Sequence, residues 1–93
     1  MKQLIIIFEF GSGSALRISP FVDMIRKYGN FAFLTKNSCI IWTTATVVAV
    51  RDHLMTGMSS GDKLFVSEIS APAAWTGIGK EVSEYIVKNL KDI

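Results

Sequence analysis

The sequence predicts one α+β domain, with four short strands forming a sheet and helices packed against it. Three observations predict it. Apolar runs of strand length alternate with stretches of helical spacing, in the order strand, helix, strand, strand, helix, strand, and a further helix closes the chain. At 93 residues the chain has the length of a single domain, 1–93, and neither repeats nor linkers divide it. Hydrophobic residues make up 49% of it, enough for one core without a disulfide or metal staple.

Each element has a local reason. Leu4 to Phe10 is rich in β-branched and aromatic residues and apolar at both parities, the pattern of a central strand buried on both faces. Gly11-Ser12-Gly13-Ser14 breaks it. Those glycines invite a phosphate-loop reading, but Leu16 stands where a third fingerprint glycine would fall and no lysine-serine pair follows. A flexible connector is the expectation. Ser19 before Pro20 predicts a helix start, a hydroxyl cap with proline at the first helical position. Phe21, Met24, Ile25 and Tyr28 form its apolar stripe, and Gly29-Asn30 supplies a left-handed stop.

Phe31–Leu34 and Cys39–Thr43 read as two strands joined by a hairpin through Thr35 and Ser38. Thr46 caps a second helix with Val47, Val50, Leu54 and Met58 on its apolar side. Ser59 to Asp62 is turn chemistry, and Leu64–Ile69 is a fourth strand. A loop through Pro72, Trp75, Gly77 and Gly79 leads to the last helix, whose buried face is Val82, Tyr85, Ile86 and Leu90. Trp75 is expected to pin that helix to the sheet as a core residue.

This order is the ferredoxin-like βαββαβ sandwich with an additional C-terminal helix. Two helices cover one sheet face, so the other should be polar, yet it is not. In the first strand Leu4, Ile6 and Phe8 oppose Ile5 and Ile7; in the third, Ile40 and Trp42 oppose Cys39 and Ile41. Either the final helix or a second copy of the chain must cover that face, and a homodimer is expected.

Composition excludes several classes. The formal net charge is +2 with scattered basic residues, a weak pull on nucleic acid. A single histidine, His53, excludes two-histidine metal sites, and the single cysteine, Cys39, excludes an internal disulfide. Asp52 and His53 are adjacent, so on a helix they point apart and form no acid–base pair. One histidine and no nucleophile elbow leave a hydrolase triad without support. No membrane span and no secretory leader are expected, which predicts a cytoplasmic protein. No cofactor motif stands out.

Glu9 is the leading candidate functional residue, because a carboxylate on a mostly apolar strand must be hydrated, paired or metal-bound. The plain alternative is a solvated strand end or a salt bridge. Glu68 shares a parity with Leu64 and Val66 and is expected to be a similar, half-buried acid.

Several further segments carry a resemblance in their joint order. They are Phe8-Glu9, Tyr28-Gly29-Asn30, Lys36-Asn37-Ser38, Arg51-Asp52-His53-Leu54, Gly61 to Val66 leading to Glu68, and Trp75-Thr76-Gly77. Through most of its length the chain resembles the SinR-like proteins. These are small relatives of the ferredoxin-fold subunit of the CRISPR adaptation integrase, and more distantly of the VapD-type ribonuclease toxins. The resemblance implies a homodimer with an acid at the end of the first strand near the two-fold axis. In the CRISPR relatives that acid is an aspartate assigned to metal binding and phosphodiester cleavage. Only Glu9 matches it here, and its extra methylene shifts the carboxylate, which Mg²⁺ tolerates poorly.

Three readings follow. The first is a homodimeric, non-catalytic interaction module associated with nucleic acid or with a nucleic-acid-associated protein. The second is a Mg²⁺-dependent endoribonuclease with Glu9 as catalytic and metal-binding residue at the dimer axis. There two glutamates need a compensating cation, and Arg17 and Arg26 are the nearest arginines in sequence. The third is a protein-binding regulator that uses a free sheet edge.

Overall fold

The computed structural model of the chain describes residues 1–11 and 15–92. Its elements are β1 (Lys2–Glu9), α1 (Ala15–Arg26), β2 (Asn30–Thr35), β3 (Ser38–Thr43), α2 (Val47–Met55), β4 (Lys63–Glu68) and α3 (Lys80–Asn89). The strands form one antiparallel sheet in the order β2-β3-β1-β4. The described residues are therefore α+β, three helices on a four-stranded antiparallel sheet, and compatible with a ferredoxin-like fold.

Register sorts the side chains into two faces. Leu4 lies opposite Ile41 and Glu68, and Ile6 opposite Cys39 and Val66, so these residues share the first face. There Leu4, Ile6, Phe8, Cys39 and Ile41 are buried under Phe21 and Ile25 of α1 and Val50 and Leu54 of α2. Phe21, Met24 and Ile25 of α1 and Val47, Val50 and Leu54 of α2 lie on the expected stripes, and Tyr28 and Met58 pack beside them from beyond the helix ends. Thr46 caps α2 by accepting the Ala49 N–H at 3.1 Å, as its hydroxyl predicts. Gly29, at φ 92°, supplies the positive φ on the way from α1 to β2.

The second face is covered by α3, but only in part. Ala32, Ile40 and Trp42 are buried against Ile86, with Val82, Tyr85 and Leu90 around them. Gln3 faces the same side and is buried. Its Nε2 donates to the carbonyls of Ile69 at 3.1 Å and Lys91 at 2.9 Å, and its Oε1 accepts the Lys91 N–H. The Trp42 indole N–H donates to the Asn89 carbonyl at 3.1 Å. These bonds fasten the C-terminal end of α3 to the sheet.

The other half of that face stays open. Ile7 is 46% exposed and Phe65 58% exposed, and the two are direct cross-strand partners. One of the two expected covers is thus α3, and it leaves the β1–β4 half uncovered within one chain.

The start of α1 differs from expectation. The helix begins at Ala15, not Ser19, and Pro20 lies inside it. Pro20 has no N–H to offer the Leu16 carbonyl, so one bond is lost near the helix start. The turn before it is held from outside. Arg17 pairs with Asp62 and its guanidinium lies 4.9 Å from the centre of the Phe10 ring. A distant partner overrides the local proline signal. The connector reading of Gly11 to Ser14 falls largely on residues 12–14, outside the described residues.

Candidate functional site

Glu9 is the last residue of β1, and the chain beside it fixes its position. Asn37, in the β2–β3 turn, accepts the Phe8 N–H at 2.9 Å and donates its side-chain amide to the Phe8 carbonyl at 3.1 Å. Across the sheet Glu9 is registered with Lys63, the first residue of β4. The Lys63 ammonium stands 3.5 Å from its carboxylate, and the Glu9 side chain is 69% exposed. Such an exposed pair contributes little to stability. The salt bridge that sequence reasoning weighed against metal chemistry is therefore present.

An open groove of about 640 Å³ begins at Glu9 and runs between α1 and the β2–β3 hairpin. Its floor is apolar, with Phe8, Phe10, Val22 and Phe33, and Arg26 and Lys36 stand at its rim. Arg26 is 3.7 Å from Asp23 on its own helix. Neither arginine singled out as a partner of Glu9 takes that part, since Arg17 is committed to Asp62.

Among the described residues no three His, Cys, Asp or Glu side chains converge on one point. A divalent cation asks for several oxygen ligands in near-octahedral order. Within one chain Glu9 offers a single carboxylate, already neighboured by an ammonium group, and that donor set does not fit Mg²⁺. Glu68 projects from the first face and is exposed, not half-buried. Leu4, its partner on β1, is buried, whereas Glu68 stands on the edge strand β4.

The best-organised polar group in the molecule is one that the sequence marks only as a turn. Asp62 has a side chain just 1% exposed. Its Oδ1 accepts the Gly11 N–H at 2.8 Å, its Oδ2 accepts the Ser59 N–H at 2.8 Å, and Arg17 bonds both oxygens. The Arg17 guanidinium and the two backbone N–H groups hold the Asp62 carboxyl well below the usual carboxylate range. The same bond raises the Arg17 pKa. Three chain segments meet at this carboxylate, so it is a structural clasp. Its only legible signal is an aspartate closing a Ser-Ser-Gly turn.

His53 is exposed, and, as the helical spacing predicts, Asp52 and His53 turn to different partners. Asp52 accepts from Arg51 at 2.8 and 3.0 Å, and His53 Nδ1 shares a hydrogen bond of 2.8 Å with the Tyr28 hydroxyl. Trp42 is core. Trp75 is 37% exposed, which corrects the expectation of a core residue, though its indole N–H does bond Ser83 of α3 at 3.1 Å. The loop after β4 brings it against Ser83 in the first turn of α3, not into either buried cluster. No described helix is long and apolar enough to cross a membrane.

Compared with known proteins, the chain matches no family model, and no curated protein matches it at a significant level.

Proposed function

We propose that the protein is a small self-pairing interaction module, non-catalytic and associated with nucleic acid. The observation that carries the reading is the exposed apolar surface around β4, with Phe65 on the half of the sheet that α3 leaves open and Val48 and Met55 of α2 on the other face. Apolar surface of this kind on a domain of 10.3 kDa is what a partner would cover. In the same reading the fold is a ferredoxin-like sandwich, supported by the strand order and by α1 and α2 sharing one face, with α3 as the added helix. The nucleic-acid part rests on the quoted motifs and their SinR-like resemblance. Its test is a titration of fluorescent single- and double-stranded RNA and DNA at two salt concentrations. Binding that weakens with salt supports it, and no binding at low salt contradicts it.

The second reading, a metal-dependent endoribonuclease, draws on one observation, the exposed carboxylate of Glu9 at the mouth of the groove. A dimer would have to bring a second Glu9 to it to make a cation site. The expected outcome of a cleavage assay with Mg²⁺ or Mn²⁺ is no turnover attributable to Glu9. Cleavage that disappears in Glu9→Gln, with fold and assembly intact, would establish the enzyme reading instead.

A further inference from the structure

β4 is one edge of the sheet, and half of its backbone faces outward. The Ile69 N–H donates to the Gln3 carbonyl at 2.8 Å, one step beyond the β1–β4 register. By the alternation of an antiparallel ladder, the odd-numbered residues of β4 turn their backbone groups to β1. Leu64, Val66 and Glu68 therefore present N–H and C=O outward. An edge of this kind is a template for another strand. β2, the opposite edge, has both α1 and α3 packed against it, whereas α2 is the helix over β4.

The side chains around the β4 edge are apolar above and below. On α2, His53 reaches Tyr28 beside α1 and so marks the inner flank. Val48, Arg51 and Met55 recur at helical spacing on the opposite flank, and all three are exposed. Arg51 lines shallow hollows with Leu64 and Val66. On the other sheet face Phe65 is open.

We infer that a second copy of the chain docks along this edge, β4 antiparallel to β4, with Val66 on the two-fold axis. The inference deepens the self-pairing reading and rests on it. Register follows from two requirements. The outward residues must pair with one another, and pairing about Val66 sets Leu64 opposite Glu68 of the second copy and Glu68 opposite its Leu64, so every outward N–H and C=O is used. Pairing about Phe65 would instead set Glu68 opposite Asp62, which lies outside β4 and whose N–H already donates to the Ser59 carbonyl at 3.1 Å, so the outward Glu68 carbonyl would lose that partner. In the Val66 register the Glu68 carboxylate of each copy arrives beside Leu64 of the other, beneath Arg51. Two symmetry-related Arg51–Glu68 ion pairs result. The present Arg51–Asp52 pair is exposed and holds Arg51 only weakly. Val48 and Met55 of the two α2 helices then face each other across the axis, and the sheet continues from one copy into the next.

Sedimentation of five variants beside the native chain tests this. Val66→Pro removes an outward N–H that an edge strand can spare, so the monomer should keep its circular dichroism and lose self-association. Arg51→Glu and Glu68→Arg should each weaken the dimer about tenfold, and the two together should restore it. Ile7→Asp should leave the dimer unchanged. If Val66→Pro does not fold, the charge exchange decides: no restoration in the double variant overturns the geometry. A dimer that survives Val66→Pro and both reversals but breaks with Ile7→Asp places the interface on the open sheet face, which overturns this inference and keeps the self-pairing reading. A native chain that stays monomeric overturns both.

Discussion

Asp62 accepts hydrogen bonds from Gly11, Arg17 and Ser59, and so ties the end of β1, the start of α1 and the turn after α2 to one carboxylate. Its folded pKa is depressed, so the stability it contributes is fully present above the ordinary carboxylate pKa, about 4, and is lost as the pH falls toward the lowered folded value. Asp62→Asn should have a lower urea midpoint than the native chain at neutral pH. The gap should close as the pH is lowered below about 4. Equal midpoints at neutral pH would show that the clasp is idle. Cys39 has the opposite linkage. Burial pushes its thiol up to about 12, while an unfolded thiol ionises near ~8.5. The unfolded chain therefore gives up this proton first, and stability falls as the pH rises through that window. Urea midpoints of the native chain and Cys39→Ala, taken from neutral to alkaline pH, should show the steeper fall in the native chain. The native thiol should also resist alkylation until urea is added. Glu9 itself was legible as a strand-end acid, but Lys63 beside it was not, because that partner is set by the register of β4.

At the scale of elements, α3 is held by a few contacts that can be removed singly. Ile86 fills the second cluster, and Ile86→Ala should cost about 2–5 kcal/mol in urea denaturation. Gln3→Ala strands the Ile69 and Lys91 backbone groups and should cost about 1–3 kcal/mol, with amide exchange rising in α3 before the sheet. Trp75→Ala removes one hydrogen bond and a half-covered ring, so about 1–2 kcal/mol is expected, less than Ile86→Ala. The reverse order would put Trp75 back in the core. The strands and the helical stripes were legible because periodicity records which side chains are buried, and Phe21, Ile25, Val50, Leu54 and Ile86 are all buried. The start of α1 was not, because Pro20 obeys a local rule that Arg17 and Asp62 override from elsewhere in the chain. Trp75 misled for a related reason: flanking glycines and proline mark a loop but do not say on which side of α3 it passes.

For the whole molecule, the doubled apolar pattern of β1 and β3 was the most informative signal in the sequence. It called for a second cover, and α3 is that cover over Ala32, Ile40 and Trp42. What remains open lies around β4, with Phe65 on one face and Val48 and Met55 on the other. That surface gives the proposed self-pairing its physical motive, since burying apolar area is the main gain in association. The direct test is sedimentation equilibrium of the native chain from micromolar to hundreds of micromolar concentration. The account predicts a particle of twice 10.3 kDa that dissociates on dilution. A mass of 10.3 kDa across the whole range would contradict it.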